Sequence, residues 1–272
     1  MKHIIFTLLT QDYKLILAST PQDFQIVKKL RAHVIITKYP EFKQTEEYND
    51  YLFNEEDRQS FIYLLYHENS NTYVGSVRLF FINKTTSDTL LPMEKYLNDS
   101  SFNKFKNKEM PICEISRFSL IDNLQPHPKL SILQLRNSLR LGLIIATRIN
   151  LFLYQYSQVF SVMEPSLHRI LKSQGVDFKQ IGKAINHYGK RIPYQVNQTH
   201  KNMLLHKSEK TMGELTRYYL KELCKDPEPF WQFIDANPYL ERSDIQLDRI
   251  CQLFKKYGDD VDLSLLLGEE KS

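Results

Sequence analysis

The stretch Ile112-Cys113-Glu114-Ile115-Ser116-Arg117-Phe118-Ser119-Leu120-Ile121 follows Pro111 and embeds one carboxylate and one guanidinium in an otherwise mostly apolar run. Apolar side chains at both odd and even positions suit a strand covered on both faces, hence a central one. Charges in such a strand are paired or functional, because an unpaired buried charge is costly. Glu114 is the leading candidate for chemistry, since desolvation raises a carboxyl pKa toward the range useful to a general base. Regular pleating turns residues three apart to opposite faces, so Glu114 and Arg117 share one cleft only across a bulge. Cys113 beside them has no histidine close in sequence to activate it as a nucleophile.

Upstream, Phe61–Tyr66 and Tyr73–Ile82 flank Asn69-Ser70-Asn71 and read as a β-hairpin with alternating faces. Val77, Leu79 and Phe81 share one face, leaving Arg78 on the other with Val74, Phe80 and Ile82. Thr20-Pro21-Gln22-Asp23 is a helix start, with an N-cap hydroxyl, proline at the first helical position and an acid near the positive end of the dipole. Phe24, Val27, Leu30 and Val34 continue it as an apolar stripe. Arg31 borders that stripe, with its stem expected along the core and its head in solvent. Ile4 to Leu9 reads as a further strand, and Leu91-Pro92-Met93 opens an irregular region containing Lys104, Lys106 and Lys108.

Downstream, good helix formers run from Ser131 to Tyr154, and Gln158–Met163 is the next strand. Pro165 opens a short helix that Gly175 should end. Phe178–Ile181 and Ala184–Tyr188 read as two closing strands about Gly182. This alternation predicts a mixed α/β (α+β) sheet with helices on its faces over residues 1–202. From Met203 the chain is polar and helical, with candidate helices over 211–224, 229–236 and 243–257, so residues 203–272 form an extension or lid.

The 272 residues carry a formal charge of +4, too small to require nucleic acid. Cys113, Cys224 and Cys251 are odd in number and lack metal-ligand spacing, which predicts reduced thiols, no metal site and a cytoplasmic protein. The long apolar run Leu139–Tyr156 is interrupted by Arg140 and Arg148, so no transmembrane segment is expected.

Four pieces taken together resemble the acyl-homoserine-lactone (autoinducer) synthases: Arg31 on the first helix, Asn54-x-x-Asp57 before the hairpin, Arg78 in it, and Glu114-Ile115-Ser116-Arg117-Phe118. Asn54 departs from the pattern, standing where that family has an acid. Gly75-Ser76-Val77-Arg78-Leu79, Leu91-Pro92-Met93-Glu94, Met163-Glu164-Pro165, Ile181-Gly182 and His187-Tyr188-Gly189-Lys190-Arg191-Ile192-Pro193-Tyr194 resemble the branch associated with PEP-CTERM/exosortase systems, and the match covers about residues 20–195. The resemblance implies a GNAT-like fold in which two parallel strands splay apart, here the strands bearing Glu114 and Gln158–Met163, to admit a thioester-bearing pantetheine arm. It implies an acyltransferase with Glu114 as base through a water. Arg31, Asp57, Arg78 and Arg117 bind substrate or form a buried ion-pair network, and both readings stand open.

No glycine occurs between Ser119 and Arg136, where a coenzyme A enzyme would offer a pyrophosphate-binding turn. This favours acyl carrier protein as the source of the acyl-phosphopantetheine thioester over acyl-CoA, and no tightly bound cofactor is expected. A basic face would dock the acidic carrier, with Lys129, Arg136, Arg140 and Lys172 as candidates; Arg136 and Arg140 share a helix face at i, i+4. His187 and Arg191 are candidates to hold an acceptor carboxylate. Where autoinducer synthases place aromatics for S-adenosylmethionine this chain has His33, Ile35 and Thr37, so a small amine such as an amino acid, as in the related N-acyl amino acid synthases, is the expected acceptor. The alternatives are an acyl-CoA dependent N-acyltransferase and a catalytically silent acyl-binding module.

Overall fold

The computed structural model describes residues 2–82, 89–97, 106, 112–154, 158–173, 176, 178–187, 189–196, 210–238 and 240–261. The N-terminal apolar run, expected to be a strand, is helix α1 (Lys2–Thr7) followed by a π-helical turn (Leu8–Asp12). Tertiary packing overrides its β-branched composition: Phe6 meets Tyr218 edge-on, and the Tyr219 hydroxyl donates to the Leu9 carbonyl. Strand β1 (Tyr13–Leu17) follows, then α2 (Pro21–Lys38). The N-terminus of α2 forms as the sequence indicates: Thr20 Oγ1 accepts from the Asp23 amide at 3.1 Å and Asp23 Oδ2 accepts from the Thr20 amide at 2.9 Å. Short helices α3 (Tyr48–Leu52) and α4 (Glu55–Arg58) lead into the hairpin β2 (Phe61–His67) and β3 (Thr72–Ile82).

The charged apolar stretch is strand β4 (Ile112–Leu120), followed by the long helix α5 (Ile132–Tyr154), β5 (Gln158–Met163) and α6 (Pro165–Ser173). Gly175, expected to end α6, Lys104 and Lys108 lie outside the described residues. The sheet closes with β6 (Phe178–Gln180), β7 (Ile185–Asn186) and β8 (Lys190–Val196). Two short closing strands were expected, and the third is the longest of the three. Pro193 hid it, because proline within a run argues against a strand. Gly189, at φ +89°, sits in the turn into β8, where the His187 amide donates to the Gly189 carbonyl at 3.0 Å.

The strands order as β1-β2-β3-β4-β5-β8-β6, with β7 on β8, and every neighbouring pair is antiparallel except β4–β5. This is the mixed, splayed sheet flanked by helices expected from the sequence. One face packs on α5, where Leu143 lies against Gly75 and Tyr154 stacks on Phe81 at 5.2 Å. Arg78 points to the other face and meets α4 beneath α2. Burial of Leu135, Leu139, Leu143 and Ile145 on α5 contributes roughly 1.5–3 kcal/mol per side chain.

The far side of α5 is covered by α7 (Lys210–Lys225), which packs with α9 (Leu247–Tyr257), while α8 (Glu228–Ala236) brings Phe233 within 5.1 Å of the Phe61 ring. The expected boundary at 202/203 lies outside the described residues. Cys224 and Cys251, expected to be reduced, form a disulfide between α7 and α9 with their Cα atoms 5.2 Å apart. Their separation of 27 residues carries no signal of its own; the antiparallel return of α9 creates the proximity. Cys113 remains a free thiol, buried in the core, where burial and the neighbouring Glu114 charge push its pKa well above the usual value and leave it no thiolate character. No helix among the described residues is long and apolar enough to cross a membrane.

Candidate active site

Strands β4 and β5 pair over three positions only, Ile112↔Gln158, Cys113↔Val159 and Glu114↔Phe160. Beyond them β4 continues along β3 and β5 along β8, so the two part. Ser161 Oγ donates to the Ile115 carbonyl at 2.7 Å and satisfies a backbone acceptor at the point of separation. The gap opens into a cavity of about 710 Å³ lined by both strands.

The bulge required by the sequence is present. Ser76 opposes Ser119 and Arg78 opposes Ser116, so Arg117 and Phe118 together face one residue of β3. Arg117 takes φ +53°, a left-handed conformation that costs a residue with a Cβ roughly 1–2 kcal/mol. The result is that Glu114 and Arg117 line the same cavity.

Arg31 and Asp57 are both 0% exposed, and the Arg31 Nη1 donates to Asp57 Oδ2 at 2.9 Å and to the Leu52 carbonyl at 3.0 Å. The expectation that the Arg31 head reaches solvent is therefore overturned. The Asp57 carboxylate and the Leu52 carbonyl replace part of what water would supply, which helical periodicity cannot reveal. Arg78 Nη1 donates to Asp57 Oδ1 at 3.3 Å and to Asn54 Oδ1 at 3.3 Å, while its Nε donates to Ser116 Oγ at 3.1 Å. Asn54, in place of an acid, caps α4 by accepting from the Asp57 amide at 3.1 Å. Burial opposes the Asp57 charge, but Arg31 and Arg78 outweigh it and hold the carboxyl well below the usual carboxylate range.

Glu114 is equally buried, 3% exposed, yet its state differs. Oε2 accepts from the Met93 amide at 2.7 Å, and Oε1 lies 3.9 Å from Arg78 Nη2, beyond a direct hydrogen bond. Burial pushes its pKa up; Arg78, the Met93 amide, Ser116 and Arg117 offset this only in part. The Met93 amide is aimed by a 3₁₀ turn, Pro92–Lys95, whose Glu94 Oε1 accepts from the Leu91 amide and, at 2.8 Å, from Lys106 in a nearly buried pair.

The chain is similar to solved acyltransferases. FeeM, an N-acyl amino acid synthase from uncultured soil microbes, is 12% identical over 71% of this chain and 98% of its own, with a TM-score of 0.46. BjaI, a CoA-dependent acyl-homoserine lactone synthase with SAM and isopentyl-CoA, is 14% identical over 74% of this chain and 89% of its own, with a TM-score of 0.48. The AHL synthase LasI is 10% identical over 71% of this chain and 93% of its own, with a TM-score of 0.45. No family model and no curated protein matches the chain in sequence.

His187 and Arg191 also line the cavity. Arg191 is engaged by Glu164, which Lys38 binds as well; burial opposes that charge, but the two cations bring the Glu164 pKa down to about 2. The His187 ring lies 3.9 Å from that of Tyr96, and burial, Arg117 and Arg191 push its pKa down to about 4 against the pull of Glu47, so it is neutral at pH 7. Tyr188 lies outside the described residues.

Of the expected docking residues, Arg140 reaches the cavity wall and donates to Asn137 Oδ1 at 2.9 Å. Arg136 binds Asp122, Nη2 to Oδ1 at 2.9 Å, at the mouth; Lys129 and Lys172 are exposed. None of the cavity lining belongs to α7, α8 or α9. Sequence reasoning missed the Met93 amide, Glu164, Tyr51 and Tyr96. Glu164 stood in a quoted motif and Met93 followed the quoted Leu91-Pro92, but only the fold shows that both face the cavity. Among the described residues no group of histidine, cysteine and acidic side chains could hold a metal ion.

Proposed function

We propose that the protein is an N-acyltransferase that moves a fatty acyl group from an acyl carrier protein thioester to a small amine such as an amino acid. The observation that carries the reading is a buried carboxyl of raised pKa, Glu114, at the point where β4 and β5 part into a cavity lined by both strands. The extended pantetheine arm satisfies its amides against the unpaired edges of the parted strands. Leu167, Ile170, Leu171 and Phe178 give the acyl chain an apolar wall. The amine nitrogen attacks the thioester carbonyl, a C–N bond forms, the C–S bond breaks, and the proton lost by the amine passes through a water to Glu114 and on to the departing thiolate.

The N-terminus of α5 favours a carrier protein over coenzyme A. Ser131 and Gln134 satisfy each other there, Gln134 Oε1 accepting from the Ser131 amide at 2.9 Å and Ser131 Oγ from the Gln134 amide at 3.3 Å. Ile132 and Leu133, 49% and 63% exposed, stand where a pyrophosphate would approach, and they offer a carrier helix an apolar contact beside Lys129, Arg136 and Arg140. A cytoplasmic site of action follows from a donor that is loaded inside the cell. The PEP-CTERM/exosortase branch is favoured because two segments resembling it, Met163-Glu164-Pro165 and the one containing Arg191, meet through the Glu164–Arg191 pair.

Mass spectra of lipid extracts from cells expressing the wild type and Glu114→Gln test the reading. A new N-acyl amine that disappears in a folded mutant supports it and names the acceptor, and a product undiminished by the substitution removes Glu114 as base. With purified protein, turnover of dodecanoyl-CoA equal to that of the dodecanoyl carrier protein would overturn the donor assignment.

A further inference from the structure

Among the described residues, two cations lining the cavity have no carboxylate within 4 Å: Arg140, which donates to Asn137 Oδ1, and Arg117, on the same strand as Glu114. Arg31 and Arg78 are bound to Asp57, Arg191 and Lys38 to Glu164, and Lys95 to Glu56. Arg117 lines the same cavity with no carboxylate within 4 Å among the described residues, and its guanidinium carbon lies over the Tyr51 ring, 4.2 Å from the centroid. The bulge places it there at the expense of a left-handed backbone. Local strain of this kind persists where the surrounding structure enforces it, and it concentrates at ligand-binding positions. The contact with the Tyr51 ring holds the guanidinium in the cavity wall, and a guanidinium fork suits a bidentate anion such as a carboxylate. The neighbouring His187 is neutral, so it can share hydrogen bonds with an anion without a charge of its own.

We propose that Arg117 anchors the carboxylate of the acceptor, so that the substrate class is an amine bearing a carboxylate near its nitrogen, and that Arg191, committed to Glu164, does not. This rests on the acyl-transfer reading for the identity of the ligand. With the carboxylate on Arg117, the amine of an α-amino acid is directed to the part of the cavity lined by Glu114, which lies three residues away across the bulge. A decarboxylated amine would leave the Arg117 charge uncompensated in a partly desolvated site and bind weakly.

Binding of product pairs tests the proposal without requiring turnover. Calorimetry on the full chain would compare N-dodecanoyl-phenylalanine, -leucine and -alanine with the matching N-dodecanoyl phenethylamine, isopentylamine and ethylamine. At least one acid is expected to bind about tenfold or more tightly than its amide partner, the range of a charge-assisted hydrogen bond. That preference should vanish in Arg117→Gln, return in part in Arg117→Lys, and survive in Arg191→Gln. Equal affinity within every pair, no binding of any acid, or a preference untouched by Arg117→Gln would overturn it. An Arg117-dependent preference without acyl transfer in the purified system would leave the anchor standing and sink the transferase reading. Transfer to the amines as readily as to the amino acids would do the reverse. In a turnover assay the substitution should raise KM for the acceptor far more than it lowers kcat, which separates anchoring from a structural role.

Discussion

Asp57 and Glu114 are two buried carboxylates set among the same arginines, and the fold treats them differently. Each Asp57 oxygen meets a guanidinium, at 2.9 and 3.3 Å, and one also accepts from the Asn54 amide at 3.0 Å. Glu114 receives one close backbone donor and stands 3.9 Å from its nearest arginine, so burial outweighs attraction. The comparison teaches that proximity to positive charge is not what fixes a buried acid; direct, saturating contact is. Asp57 holds α2, α4 and β3 together as a fixed charge, while the raised pKa of Glu114 makes it the better proton acceptor of the two.

The widest separation between the two should appear in activity. Glu114→Gln is expected to lower kcat by about 10²–10⁴, the usual range for a general base, measured by initial rates of acyl transfer. Its stability should not fall. The folded-state pKa of Glu114 lies above the unfolded value of about 4.3, so burying its charge destabilises the fold as pH rises through the folded value. Urea melts at pH 8 should therefore show the variant at least as stable as the wild type.

Asp57→Asn should do the opposite. Removing one member of a buried ion cluster leaves Arg31 and Arg78 uncompensated, at a cost of about 3–5 kcal/mol in urea unfolding. The lowered Asp57 pKa gives the sign with pH: its contribution is complete above the unfolded value of about 4 and is lost as pH falls through the folded value. The wild type should therefore lose stability toward acid more steeply than Asp57→Asn.

A smaller effect would sharpen the contrast at Glu114 itself. Glu94→Ala or Lys106→Met should loosen the turn that presents the Met93 amide, which favours the charged carboxylate. The rising limb of the pH–rate profile should then move to higher pH, and Lys106→Arg should restore it. The smallest expected effect belongs to His187. With its pKa near 4 it contributes no titration between pH 5 and 8, and its ring NMR signals should stay constant across that range.

Much of the fold was legible in the chain. The Thr20–Asp23 cap, the hairpin, the central strand and α5 follow from local propensity and hydrophobic period, and the bulge follows from requiring Glu114 and Arg117 in one cleft. Three elements were not legible for identifiable reasons. Residues 4–9 became helical because α7, more than 200 residues away, supplies the surface they pack on. Strand β8 was masked by Pro193, which the β5 and β6 neighbours accommodate. The Cys224–Cys251 bond depends on the antiparallel return of α9 on α7.

At the site, the sequence by itself determined which ionisable residues were present and that those in apolar surroundings, Arg31, Arg78, Glu114 and Arg117, needed partners or a purpose, while Asp57 was singled out only by the resemblance. Burial makes that demand whatever the fold. Only the tertiary structure decided the pairing: Asp57 takes Arg31 and Arg78, Glu164 takes Arg191 and Lys38, and Arg117 is left facing the cavity. Electrostatic contacts fall off over a few ångströms, and distances of that order between residues 20 to 150 positions apart are set by how strands and helices stack, which no local pattern encodes.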